Sequence, residues 1–354
     1  MRLTSPASLA ACFGLSAACA ACGGQGDGGG PAWGVDPSGS SEGGADSIDG
    51  SAPSSGGGSG GTTSDASSGA QSDASTGGPR DASQGGTTGQ EGAAPPEAGG
   101  ASGAPGPRAK RGIAYGQNSD ADLSALSAGI TWWYNWSPQP DNSLSSGYAA
   151  AHGVEFVPMI WGGNFDPNKL ATQVPAGAKY LLTFNEPNFG SQSNLTPTQA
   201  AALWPKVEAF AQSRNLKIVS PALNYCGGSC NETNPFVWLD AFFAACSGCQ
   251  VDYIGAHWYA CTKDALTSYL STYETKYKKP IWLTEFSCLD GSFPATEANE
   301  EAYMQSAVET LEADPMVFRY SWFTGRFSQT PSIDVLGGTS GSLTALGQKY
   351  VELP

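Results

Sequence analysis

Eight apolar, β-rich runs follow one another through the C-terminal two-thirds of the chain: residues 111–116, 130–136, 155–162, 180–186, 217–224, 251–259, 280–286 and 318–323. Their apolar residues are continuous rather than alternating, the mark of parallel strands buried on both faces. Helical patterns separate them. Thr196-Pro197 opens a helix at 198–214 and Asn234-Pro235 opens one at 236–245; further helices are expected at 263–277, 296–313 and 343–350. Proline at an early helical position does no harm, because its missing N–H would have had no partner there. Between the second and fourth runs the helical signal is weak, which predicts short or irregular crossovers. Eight strands with intervening helices over about 245 residues predict an α/β fold, a (β/α)8 barrel. A doubly wound open sheet is the alternative, and no glycine-rich phosphate loop supports it.

Two runs end in glutamate, at Thr183-Phe184-Asn185-Glu186-Pro187 and Trp282-Leu283-Thr284-Glu285-Phe286. Active sites of such barrels sit at the C-terminal strand tips. Two carboxylates there can flank a sugar bond, one protonating the leaving oxygen while the other attacks the anomeric carbon or directs water to it. The sixth run ends His257-Trp258-Tyr259, and residues two apart in a strand share a face. His257 and Tyr259 are therefore expected to point into the cup. Tyr115, Asn135, Trp136, Trp161 and Trp322 fall near other tips and are candidates to line a substrate cleft. Trp322 is the candidate sugar platform, because an indole face stacks on the apolar C–H face of a pyranose. Trp204, Trp238 and Trp282 are assigned to packing.

Residues 1–22 have one basic residue, Arg2, then an apolar middle and small residues before cysteine, the pattern of a secretory signal. Ala20-Ala21-Cys22 and Ala17-Ala18-Cys19 both resemble a bacterial lipoprotein cleavage box. Gly23 and Gly24 favour lipidation of Cys22, and Leu15 sits well for Cys19; an ordinary cleaved signal is the alternative. Residues 23–108 are rich in Gly, Ser, Ala, Thr and Asp, with Trp33 as their one aromatic. Such a segment cannot bury enough apolar surface to offset its ordering entropy, so a disordered tether is expected. As a flexible coil it would span about 50 Å. The chain is expected to be exported, as a cell-surface lipoprotein or in secreted form, touching a membrane through an N-terminal lipid alone. Residues 109–354 form the folded domain. The net charge of −15 comes without basic runs, which argues against nucleic acid and suits a neutral polysaccharide. Six cysteines remain in the domain: Cys226, Cys230, Cys246, Cys249, Cys261 and Cys288. The spacing C-x3-C…C-x2-C could hold zinc, but an even count in an exported chain favours disulfides. Cys226–Cys230, Cys246–Cys249 and Cys261–Cys288 are plausible pairs, and connectivity is left open by the sequence.

At these residues the chain resembles a clan A glycoside hydrolase. Asn185-Glu186-Pro187, Thr284-Glu285-Phe286, Trp133-Tyr134-Asn135-Trp136, Ser220-Pro221-Ala222, Ala256-His257-Trp258-Tyr259 and Tyr320-Ser321-Trp322-Phe323, taken in order, resemble glycoside hydrolase family 128 over roughly residues 110–354. The resemblance implies a retaining endo-β-1,3-glucanase acting on glucans of the laminarin or curdlan type; that chemistry requires no metal or organic cofactor, and a monomer is expected. The resemblance makes Glu186 the acid/base and Glu285 the nucleophile. Asn185 would then bond the 2-hydroxyl, and Tyr259 or His257 would orient Glu285. A double displacement places the two carboxyl groups about 5–5.5 Å apart. Burial and the neighbouring Glu285 charge would raise the pKa of Glu186. Two other readings share the aromatic cleft: a non-catalytic or exo-acting lipoprotein that binds β-glucan oligosaccharides, and a retaining hydrolase of another β-linked polysaccharide. A pure binder has no need of two facing carboxylates.

Overall fold

The computed structural model describes residues 109–354; the signal segment, Cys19, Cys22, Trp33 and the Gly/Ser-rich tract lie outside them. The order is β1 (Arg111–Ala114), α1 (Asp120–Leu126), β2 (Trp132–Tyr134), α2 (Tyr148–His152), β3 (Glu155–Phe156), β4 (Met159–Ile160), α3 (Pro167–Gln173), β5 (Tyr180–Asn185) and α4 (Pro197–Ser213). It continues with β6 (Lys217–Ala222), α5 (Pro235–Ala245), β7 (Ile254–Trp258), α6 (Lys263–Tyr277), β8 (Ile281–Phe286), α7 (Glu297–Ala313), β9 (Val317–Trp322), a 3-10 turn (Pro331–Ile333) and α8 (Ala345–Glu352).

Every strand pairing is parallel, in two sheets ordered β3-β2-β1-β9-β8-β7 and β4-β5-β6. β3 and β4 are halves of the single stave expected at 155–162, broken at Val157-Pro158. Proline has no N–H to donate, so a regular ladder cannot run through it. Pairing continues on both sides nonetheless: Val157 N–H donates to Trp133 O, and Leu182 N–H to Pro158 O, each at 2.9 Å. Parallel bridges Val219–Tyr253 and Leu223–Ala256 join β6 to β7 and close the circle. Eight staves with helices outside make the (β/α)8 barrel.

The predicted helices stand within two residues of their expected bounds. The last is displaced toward the C-terminus, to Ala345–Glu352, because Thr344 caps it by accepting from Gly347 N–H at 2.9 Å. The early crossovers are short, with five residues in α2 and seven in α3. At the N-terminal end the barrel is plugged by aromatic side chains around Arg319. Its guanidinium lies 4.8 Å from the Tyr180 ring centre and 5.0 Å from that of Trp282, and bonds Glu155 at 2.6 Å. Trp204, Trp238 and Trp282 are fully buried in the packing. The opposite end, where the strands finish, is left for polar groups. No helix among the described residues is long and apolar enough to cross a membrane.

Candidate active site

Glu186 and Glu285 stand at the C-terminal tips of β5 and β8, and both are almost wholly buried. In a regular strand Asn185 and Glu186 would face opposite ways. The β5 tip is not regular. Its register against β6 slips twice between Leu181 and Asn185, and Phe184 and Glu186 adopt positive φ of 32° and 39°. A left-handed backbone costs a non-glycine residue roughly 1–2 kcal/mol. Hydrogen bonds hold it there: Asn185 N–H to Trp161 O at 2.8 Å, Glu186 N–H to Ala222 O at 2.9 Å and Phe189 N–H to Glu186 O at 3.0 Å. The register of β7 against β8 also slips after Ala256, so that His257 pairs with Glu285.

His257 is fully buried between the two carboxylates. Its Nδ1 is 3.0 Å from Glu186 Oε1 and 3.4 Å from Glu285 Oε2. Glu285 Oε1 accepts from the Trp136 indole N–H at 2.8 Å and from the Tyr134 hydroxyl at 3.1 Å, while Oε2 accepts from the Tyr259 hydroxyl. One oxygen of each carboxylate and one ring nitrogen of His257 all lie within 4.8 Å of one another. That spacing falls on the short side, where a retaining pair sits at about 5–5.5 Å and an inverting pair at about 6.5–9.5 Å.

Burial pushes the Glu186 pKa up; the Glu285 charge adds to the rise, and the hydrogen bond and charge of His257 oppose it. Burial alone would push His257 down, but the charge of Glu285 and the hydrogen bond and charge of Glu186 outweigh it and raise the imidazole. The proton affinities of Glu186 and His257 are therefore tied to each other. Among the described residues this trio is the cluster whose donor atoms are close enough to share a metal ion. Within the trio His257 Nδ1 and Glu186 Oε1 are hydrogen-bonded at 3.0 Å.

The remaining candidates divide. Trp136, half-buried at the mouth, belongs to the site through its bond to Glu285. Asn185 Nδ2 donates to Gln192 Oε1 at 3.2 Å, leaving its buried Oδ1 without a partner. Trp161 is half-buried beside the β5 tip. Asn135 spends its side chain inside its own loop, donating to Gln139 O at 3.1 Å and to Asp141 Oδ1 at 2.9 Å, and accepting from Ser137 N–H at 3.2 Å. Tyr115 is nearly buried, its ring against Gly325 and its hydroxyl 3.4 Å from Arg326 Nη1. Trp322 is a correction. It is fully buried, its indole N–H donates to Ile333 O at 2.9 Å, and its ring packs among Phe286, Tyr303 and Tyr350. Facing the helices, it offers no surface to a sugar. Phe323, the next residue, instead touches the rings of Trp136 and Tyr259. Tyr134 and Gln192 join the site without having been expected there. Strand parity could not have found Tyr134 from Trp136, because β2 ends at Tyr134 and Trp136 lies beyond it in a left-handed conformation with φ 58°.

The proposed cysteine pairs are all bonded: Cys226–Cys230, Cys246–Cys249 and Cys261–Cys288. Three disulfides fit a chain exported to an oxidising compartment.

The Glycosyl hydrolase catalytic core family matches residues 112–350. A family 128 (subgroup II) endo-β-1,3-glucanase from Sorangium cellulosum is 46% identical, over 69% of this chain and 98% of that one, with a TM-score of 0.66. A subgroup I endo-β-1,3-glucanase from Amycolatopsis mediterranei, solved with laminaritriose, is 29% identical over 68% of this chain and 98% of that one, with a TM-score of 0.55. Alkali-sensitive linkage protein 1 of Schizosaccharomyces pombe is 31% identical over 257 residues, 68% of this chain but 44% of that protein, so this chain spans less than half of that relative. With this fold, this catalytic-core match and this degree of identity, the chain belongs to glycoside hydrolase family 128.

Proposed function

We propose that this protein is a retaining endo-β-1,3-glucanase that cleaves internal bonds of laminarin- or curdlan-type glucans. The observation that carries the reading is the buried pair Glu186 and Glu285, with carboxylate oxygens within 4.8 Å and one imidazole between them. In the first step Glu285 forms a bond to the anomeric carbon as the bond from that carbon to the leaving oxygen breaks. The Glu186 proton passes to the leaving oxygen. In the second step water attacks the same carbon, Glu186 takes the water's proton, and the bond to Glu285 breaks. Two inversions give net retention. Esterification of Glu285 removes the charge that helps to raise Glu186, so the acid of the first step becomes the base of the second. Trp136, Tyr134 and Tyr259 orient the nucleophile, His257 links the pair, and Asn185 Oδ1 is available to a sugar hydroxyl. Trp161 would form part of the cleft wall.

The endo mode rests on likeness to the Sorangium cellulosum enzyme, and the glucan on that enzyme and on the laminaritriose complex of the Amycolatopsis mediterranei relative. The same reading has residues 1–22 removed as a signal, Cys22 (or Cys19) lipidated, residues 23–108 acting as a tether and residues 109–354 working as a monomeric catalytic domain at a bacterial cell surface. The test is product release from a linear β-1,3-glucan by wild type and Glu285→Gln. Mixed oligosaccharides from wild type alone support the proposal, and retained binding without products from either points to a glucan-binding protein.

A further inference from the structure

Tyr259 reaches Glu285 from outside the regular barrel, since β7 ends at Trp258. What holds it inward is the segment after β8. Ser287 N–H donates to Trp258 O at 3.3 Å, and Leu289 N–H to Tyr259 O at 2.9 Å. Two residues beyond Tyr259, the Cys261–Cys288 disulfide joins the two segments covalently, and Cys261 N–H donates to Asp290 Oδ2 at 3.3 Å. The other two bridges, at sequence separations of 4 and 3, close local loops; this one, at 27, spans two staves.

The far segment has its own anchor. The Cys288 N–H is directed to Glu300 Oε2 at 3.2 Å. Glu300 lies in the first turn of α7, where a carboxylate would ordinarily face water and favour the helix dipole. Here it is fully buried and its Oε1 has no partner. Burying a carboxyl group is costly, and the hydrogen bond it makes serves the strap that carries Tyr259.

We propose that Glu300 and the Cys261–Cys288 bridge are positioning residues for the reaction, holding the Tyr259 hydroxyl on the Glu285 carboxylate from behind. This rests on the reading of Glu285 as nucleophile. Without the Glu300 acceptor the Cys288 amide is left unpaired, the strap relaxes, and the disulfide transmits the displacement to Tyr259.

The test is a double-mutant cycle on the full chain. Glu300→Gln keeps a carbonyl acceptor and should hold kcat within about twofold. Glu300→Leu and the double variant Cys261→Ser/Cys288→Ser should each lower kcat about tenfold with KM within about twofold, by loss of one hydrogen bond to a charged group. In a Tyr259→Phe background neither should lower kcat further. Additive losses, or equal losses in the Gln and Leu variants, overturn the proposal. If Glu300→Leu does not fold, the serine pair carries the cycle. Crystal structures of the variants read the Tyr259–Glu285 hydrogen bond without any substrate. If that bond survives in the variants, the positioning role is refuted. If the variants move Tyr259 off Glu285 while wild type cleaves no glucan, the glucanase reading alone is refuted.

Discussion

Glu300 supplies a stability prediction whose size follows from its burial. The carboxyl is fully buried, and burial pushes its pKa from the ordinary 4.5 up to about 8, against the lowering effect of the Cys288 N–H. Between those two values the folded protein retains a proton that the unfolded chain has released. Fewer protons are bound in the unfolded state, so stability falls as pH rises through the window. Each pH unit is worth about 1.4 kcal/mol, and the window of about 3.5 units comes to about 5 kcal/mol at most. Water reaching the carboxylate would reduce that figure. Glu300→Gln has no proton to lose. Other raised carboxyls, such as Asp334 at about 6 and Glu274 at about 7, contribute to both proteins and cancel in the difference. Urea unfolding of wild type and Glu300→Gln at pH 5, 6, 7 and 8 should show the variant gaining on wild type by about 1 kcal/mol or more per unit, then levelling above about pH 8. Tyr303, on the same helix, is held by burial well above this pH range and keeps its proton in both proteins. Parallel stability curves over this range would refute the reasoning, because they would mean that Glu300 is solvated and ionised like a surface glutamate.

Four further outcomes are expected. Glu186→Ala should lose about 10²–10⁴-fold on natural glucans yet remain active on aryl glycosides with good leaving groups, which need no protonation; equal loss on both substrates removes the acid/base assignment. Tyr134→Phe deletes one hydroxyl from the Glu285 carboxylate and should lower kcat/KM by roughly 10-fold or more, a charged hydrogen bond being worth about 1.5–3 kcal/mol. Trp322→Ala should cost about 3–5 kcal/mol in denaturant unfolding, while the folded fraction binds laminari-oligosaccharides unchanged; weakened binding by a folded variant would restore it to the cleft. Loss of Cys261–Cys288, with its separation of 27, should destabilise by about 3–4 kcal/mol, against about 2 kcal/mol for either local bridge; three equal shifts in thermal midpoint would contradict that ordering.

The barrel was legible because its evidence is repeated. Each stave needs an apolar body, and eight such runs, the later ones separated by clear helical patterns, leave few other folds. The tips were legible as places, since a glutamate ending a buried run is visible in the string. Which way a side chain faces there was not. Parity along a strand can be counted only while the strand is regular, and a shift of one residue exchanges the two faces. Trp322 and Phe323 illustrate this: two large aromatics in succession, of which the first is in the helix layer and the second beside Trp136 and Tyr259. The β5 tip shows the converse. Asn185 and Glu186 should oppose each other, but the left-handed backbone at Phe184 and Glu186 breaks that alternation. Nothing in the string Thr-Phe-Asn-Glu-Pro marks those left-handed residues, neither of which is glycine. Glu300 is hidden for a different reason. A glutamate in a first helical turn has an ordinary local explanation, and its burial depends on a segment folded across it from the preceding strand. The two buried carboxylates at the tips, Glu186 and Glu285, could be read from sequence because the barrel restricts where such a pair can stand. The groups around them are drawn from residue types that pack equally well elsewhere, and only the closed barrel distinguishes Tyr134, bonded to Glu285, from Tyr320, bonded to Arg111 and Glu312.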